Sequence, residues 1–378
     1  MIVNRYRNMW QIPSELLVAI QNGNIDHCAA LLAAGADCDQ IFKINSQSHP
    51  AICVGVQRGT IKLVELLIRS GSAINRRDSD GRTPLHIATE FGYVDISKLL
   101  IQHRADINAG DNKGIAPLHI AAKRGCVQLV QSLLSHGADV NRKDNTGKSP
   151  LIYACGTPNI NFDVVQLLLA NGAEPDEKDD TGYTPLIYTL SSPNYTYDTV
   201  KTLVSLKARL NLCIPDGRSP IHFIIQSYNP EKWKCLNLLL KHGCDINQPN
   251  QIRQTPLHLA CLLNDKESLR ILIRAGANPN TSDVLGTTPM SCAAAFGKKK
   301  DLVELLLRGG CRADPEMLKI MNLSWVIPRL REPENLMEYS RRSFAKYMGG
   351  GLADWVENHR DEVPTTLIPF ILLQSCEN

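Results

Sequence analysis

Apolar positions along this chain recur as pairs of short blocks. The first block of each pair holds small and branched residues behind a Thr-Pro, Ser-Pro or Ala-Pro step, as in TPLHIATEFG and APLHIAAKRG. The second is leucine-rich and spaced like one face of a helix, as in VDISKLLIQ and VQLVQSLLS. Proline suits the first turn of a helix, where its missing N–H would be unpaired, and a preceding Thr or Ser can cap that turn. The glycine closing the first block is a helix-stop signal. The pattern therefore predicts a short inner helix, a tight turn and a longer outer helix in each unit.

The unit repeats. Prolines 84, 117, 150, 185, 220, 256 and 289 are separated by 33, 33, 35, 35, 36 and 33 residues; Pro50 falls 34 before the first and Pro13 opens a weaker copy. A second marker keeps the same phase: LLAAGADCD, LLSHGADVN and LLKHGCDIN each close an outer helix. Asp-x-x-Gly stretches at Asp78, Asp111, Asp144 and Asp179 read as turns at the tips of hairpins joining successive units. One such unit cannot bury its apolar face alone, so stacking is required. Arg104 and Lys207 stand where other units place a C-terminal glycine, which predicts left-handed strain or a different turn there.

Three adjacent units are irregular. From the repeat proline to the matching outer-helix leucine the count is 16 for Pro84, Pro117 and Pro256, but 18, 18 and 19 for Pro150, Pro185 and Pro220. Insertions in stacked repeats map to loops on one face. The same stretch holds Tyr153, Tyr183, Tyr188, Tyr195, Tyr197, Tyr228 and Trp233, residue types that dominate binding hot spots. These seven are the candidate contacts for a partner protein; the alternative is that the aromatics fill enlarged gaps. On the first reading, Tyr195 and Tyr197 to alanine weakens partner binding and leaves the thermal midpoint unchanged.

Composition narrows the function classes. A net charge of +3 with acids and bases interspersed gives no broad field for nucleic acid. The twelve cysteines mostly sit in apolar helical blocks and read as reduced core thiols. Cys235, His242 and Cys244 are close enough in sequence to suggest a metal, yet core and turn positions explain them better without a second ligand pair, so no metal or cofactor is expected. MIVNRYRNMW lacks a secretory core, and the apolar run Leu367–Leu373 is too short to span a bilayer. The expected location is cytoplasmic, with the nucleus also open, and no membrane partner is implied. No phosphate-binding loop or nucleophile–base–orienter set occurs, so no catalytic residues are assigned.

On these motifs residues 13–315 resemble ankyrin repeats. The resemblance implies an all-α ankyrin-repeat solenoid of about nine helix pairs with hairpin loops, behind an N-terminal extension at 1–12. It implies that His86, His119, His222 and His258 bond backbone across repeats and are not catalytic. Asn108, Asn141 and Asn247 resemble ankyrin positions modified by an asparaginyl hydroxylase, although a turn-stabilising amide explains them more simply.

Past Pro315 the period stops. Residues 316–335 read as a linker or cap containing Pro328 and Pro333. Leu336, Tyr339, Ser340 and Phe344 then fall on one helical face, and Gly349–Gly351 ends that helix. Residues 336–378 resemble a SOCS box through NLMEYSRRSF and VPTTLIPFILL. That resemblance implies elongin-C binding by Leu336, Tyr339, Ser340 and Phe344, and cullin binding by Val363, Pro364, Leu367 and Ile368. Ser340 replaces the family's cysteine, Phe344 an aliphatic residue, and the second proline of the cullin segment is absent. Together the two resemblances imply the substrate-recognition subunit of an elongin B/C–cullin-5-type ubiquitin ligase, with elongin B/C, a cullin–RING module and a substrate protein as partners. The rival is an ankyrin scaffold or inhibitor whose last helices only cap the stack.

Overall fold

The computed structural model describes residues 14–44, 46–295 and 300–312. The expected extension at 1–12, the linker at 316–335 and the SOCS-like segment at 336–378, with all its elongin and cullin positions, lie outside the described residues.

The described chain forms nine helix pairs in two compact units that divide between residues 209 and 210. The first unit holds α1 (14–22) and α2 (Ile25–Ala33), α3 (Ala51–Arg58) and α4 (Ile61–Arg69), α5 (Pro84–Phe91) and α6 (Val94–Gln102), and α7 (Pro117–Arg124) and α8 (Val127–Ser135). It continues with α9 (Pro150–Cys155) and α10 (Phe162–Ala170), then α11 (Pro185–Ser191) and α12 (Tyr197–Ser205). The second unit holds α13 (Pro220–Gln226) and α14 (Lys232–Lys241), α15 (Pro256–Leu262) and α16 (Lys266–Arg274), and α17 (Pro289–Ala295) and α18 (Lys300–Arg308).

Each inner helix starts as its sequence dictates. Thr83 is the extended N-cap of α5 and Pro84 its first residue; Ser149, Thr184, Ser219 and Thr255 repeat the arrangement. Gly92 ends α5 at φ 77°, a left-handed cap that a Cβ would strain. In the outer helices the leucines counted from the repeat prolines, Leu100, Leu133, Leu168, Leu203, Leu239 and Leu272, are all fully buried. Burying a leucine contributes about 2 kcal/mol each, and this row forms the spine of each unit.

Four of the described hairpins between helix pairs turn on a buried carboxylate. Asp78 Oδ1 accepts the N–H groups of Asp80 (3.0 Å) and Arg82 (2.9 Å), while its own N–H donates to the Arg82 carbonyl. Asp144, Asp179 and Asp283 repeat this geometry. A side-chain ladder stitches neighbouring repeats. Asn108 Oδ1 accepts Asp139 N–H (2.8 Å), Asn141 Oδ1 accepts Glu174 N–H (3.0 Å), and Asn247 Oδ1 accepts Asn278 N–H (2.8 Å). The amides of Asn108 and Asn141 also donate to the Gly137 and Gly172 carbonyls. These asparagines thus carry inter-repeat bonds.

Two details differ from the sequence pattern or resolve it. The architecture is helical in bulk, but β1 (Ile41–Ile44) and β2 (Gln47–Pro50) form an antiparallel hairpin, pairing Ile41 with Pro50 and Phe42 with His49. Phe42 is buried there while Ile41 and Lys43 face solvent, a period-two pattern that helical spacing does not capture. Pro50 is consequently the N-cap of α3 and not its first helical residue. Arg104 and Lys207 adopt φ 67° and 64°, so both turns keep the left-handed geometry without the glycine that would relax it.

Candidate protein-binding site

The repeats use two different polar locks. In four of them the histidine after the repeat proline is fully buried. His86 Nδ1 accepts the Thr83 N–H (3.1 Å), which assigns the proton to Nε2, and Nε2 donates to the Ile115 carbonyl of the next repeat (2.9 Å). His119 does the same with Ala116 and Lys148, His222 with Ser219 and Gln254, and His258 with Thr255 and Thr287. Burial lowers all four histidine pKa values, and the accepting carbonyls only partly oppose it. These neutral imidazoles are structural bridges.

The fifth and sixth repeats have isoleucine at that position, Ile152 and Ile187, and a tyrosine one residue later. Tyr153 Oη donates to Asp144 Oδ2 (2.8 Å) and Tyr188 Oη to Asp179 Oδ2 (2.7 Å). Burial, then the hydrogen bond to the carboxylate, raises both phenol pKa values. Burial alone would raise the carboxylates too. The bonds donated to Asp144 by Lys148 N–H, Tyr153 and Thr146, and to Asp179 by Thr181, Tyr188 and Tyr183 N–H, outweigh it and hold both below the usual range. The hydroxyls are therefore committed, and a partner would meet ring faces.

Those rings lie together. Tyr153 packs edge-on to His119 with centroids 5.2 Å apart, Tyr183 lies 5.2 Å from Tyr188, and Lys148 Nζ sits 5.4 Å from the Tyr188 centroid. Tyr153, Tyr183, Tyr188 and Lys148 are all half-buried. Lys148 was not among the sequence candidates; its position two residues before Pro150, matching Arg82 before Pro84, was the available signal.

The remaining aromatic candidates separate. Tyr195 is only 2% exposed, so it is a core residue of the enlarged connection, and this corrects its assignment as a partner contact. Its burial within the enlarged connection is what the gap-filling alternative anticipates. Tyr197 begins α12 and is half-buried. In the second unit, Tyr228 is 95% exposed in the connection before α14 and Trp233 is exposed within that helix's first turn.

The enlarged connections are plain in the fold. Residues 156–161, 192–196 and 227–231 join the helices of the fifth to seventh pairs, whereas 92–93 and 125–126 suffice in the third and fourth. Asn161 anchors the first of them by accepting Asp163 N–H and donating to the Gly125 carbonyl (2.9 Å); Ser192 Oγ ties the second to the Thr157 carbonyl (3.0 Å).

Burial makes several of the thiols poor nucleophiles. Burial pushes Cys155, Cys235 and Cys244 up to about 12, and Cys244 Sγ points at the Leu210 carbonyl. Among the described residues no group of three His, Cys, Asp or Glu side chains could hold a metal, and no helix is long and apolar enough to cross a membrane.

Comparison with known proteins points the same way as the geometry. The family described as Ankyrin repeats (3 copies) matches residues 16–111, 109–179, 158–250 and 227–317. Protein phosphatase 1 regulatory subunit 27 of Mus musculus is 42% identical over 99 residues, 26% of this chain and 61% of the relative. Transient receptor potential cation channel subfamily A member 1 of Homo sapiens is 36% identical over 93 residues, 24% of this chain and 8% of that protein. E3 ubiquitin-protein ligase KEG of Arabidopsis thaliana is 30% identical over 136 residues, 32% of this chain and 8% of the relative. This chain thus spans less than two thirds of each.

Proposed function

Since this chain belongs to the ankyrin-repeat family, whose match runs from residue 16 to 317, we propose that its repeats hold a substrate protein for ubiquitination while residues 336–378 dock elongin B/C and a cullin. Ankyrin repeats are protein-binding modules, and the observation that carries the substrate half is the cluster of half-exposed tyrosine faces on the fifth and sixth repeats. The ligase half rests on the SOCS-like NLMEYSRRSF motif, with Leu336, Tyr339, Ser340 and Phe344 toward elongin C and Val363, Pro364, Leu367 and Ile368 toward the cullin. In this role the chain performs no chemistry. It raises the effective concentration of substrate lysines beside an E2 held elsewhere in the assembly.

A second reading has its own support. The relative aligned over the largest share of its own length among those compared is named a regulatory subunit of protein phosphatase 1, so a non-ligase adaptor built on the same repeats is the rival. Co-purification with elongin B/C separates the two. The ligase reading expects a complex with wild type that Leu336→Asp abolishes without changing the melting curve. No complex with wild type leaves the adaptor.

A further inference from the structure

The chemistry of the tyrosine-lined surface extends the reading of the repeats as the substrate-holding part and rests on it. In the third and seventh repeats the residue two before the repeat proline bonds the residue six after it. Arg82 pairs with Glu90 at 2.9 Å, and Arg218 bonds Gln226 at 3.3 Å. Lys148 occupies the same place in the fifth repeat, but the residue six after Pro150 is Gly156, which has no side chain to answer it. The ammonium instead lies over the Tyr188 ring. A Cβ at Gly156 would lie 3.3 Å from that ring, so the glycine keeps the space between cation and aromatic face open. Its backbone, at φ −87° and ψ 8°, needs no glycine, although a Cβ there would also lie 3.1 Å from the Ile152 carbonyl oxygen of its own turn.

Cations without a salt-bridge partner gather around this site. Arg82 in the third repeat is neutralised by Asp78, Asp80 and Glu90. In the fourth and fifth repeats, exposed Lys113, Lys123 and Arg124 join Lys148, and none has an ion-pair partner among the described residues. Arg124 donates to the Glu90 carbonyl, which fixes its direction without cancelling its charge. The acids nearby are ionised too, and three are held within the fold: Asp144 and Asp179 are buried with their oxygens bonded to backbone and tyrosine, and Asp111 Oδ1 accepts the Lys113 and Ile115 N–H groups, while Asp180 is exposed at the next hairpin tip.

We propose that the surface centred on Lys148, Gly156 and Tyr188 takes an acidic segment of the partner protein. One carboxylate pairs with Lys148, an apolar neighbour lies on the ring faces of Tyr153 and Tyr188, and Lys113, Lys123 and Arg124 draw in further acids. A cation desolvated against an aromatic face gains more from a carboxylate than one in open water, so Lys148 is the anchor of the set. Basic or uncharged segments would leave that ammonium unpaired.

A random peptide library displayed on phage and panned on the immobilised full chain tests this. Selected peptides should be rich in Asp and Glu, and their affinity, read by fluorescence anisotropy, should fall about tenfold with Lys148→Glu and hold with Lys148→Arg. Lys123→Glu, at an exposed position, provides a second variant and should weaken binding less. Selected peptides without an acidic excess, or acidic peptides that bind Lys148→Glu as tightly as wild type, overturn the proposal. Elongin B/C capture on the same preparations keeps the readings apart: intact capture without acidic preference removes this inference and leaves the ligase reading standing.

Discussion

The third and fourth repeats, compared with the fifth and sixth, show one fold held by two different polar locks. In the former, a buried histidine bonds its own helix start and the carbonyl of the following repeat, so each imidazole couples two repeats. In the latter, a tyrosine hydroxyl bonds the aspartate of its own hairpin, nine residues earlier, and only the ring reaches the preceding repeat, against His119 or Lys148. There the coupling passes to the enlarged connections, through Asn161 to Gly125 and Ser192 to Thr157. The exchange turns a fully buried imidazole into a half-exposed phenol. Repeats that give up the histidine bridge gain an aromatic surface.

Acid should separate the two kinds of repeat most strongly, because four imidazoles act together. Their folded pKa values lie below the ordinary 6.5, so the unfolded chain binds more protons in acid. Their stabilisation is complete above about pH 6.5 and is lost as pH falls below it. Asp144 and Asp179, lowered from 3.8, act in a separate window: their contribution persists above about pH 4 and is lost only as pH falls through their folded values. Thermal midpoints measured from neutral pH downward should show the first decline before the second. A flat midpoint between about pH 7 and 5 would deny the histidine bridges their role.

Single substitutions come next in size. Tyr195→Ala removes a buried ring and should cost about 3 kcal/mol in urea unfolding, whereas Tyr197→Ala should cost well under half of that. His119→Ala leaves the Ala116 N–H and Lys148 carbonyl without this partner and should cost about 2–3 kcal/mol. Tyr188→Phe keeps the ring and loses one bond to a carboxylate, so about 1–2 kcal/mol is expected with partner binding retained. The smallest change is a gain. Arg104→Gly relaxes a left-handed residue and should add about 1 kcal/mol. Equal costs for His119→Ala and Tyr188→Phe would erase the contrast between the locks.

Much of this architecture was legible in the sequence because its cues are local. Proline and glycine mark helix starts and stops, and the count from Pro84 or Pro150 to the outer leucine measures connection length directly. The hairpin at Ile41–Pro50 escaped because its strands alternate with period two inside a reading tuned to helices. Tyr195 was misplaced because connections have no periodicity, so nothing in SSPNYTYD distinguishes an inward ring from an outward one. The Tyr153–Asp144 and Tyr188–Asp179 bonds join residues across a turn and a helix start, and only folding brings them together. Lys148 was passed over for the same reason: its meaning depends on Gly156 having no side chain opposite it.

The division of labour between repeats and tail is tested most directly by affinity purification with mass spectrometry on three full-length forms: wild type, Leu336→Asp and Lys148→Glu. The account predicts that Leu336→Asp loses elongins B and C and keeps the repeat-bound partner, while Lys148→Glu loses that partner and keeps the elongins. Loss of both sets in either variant, or of neither, would contradict it.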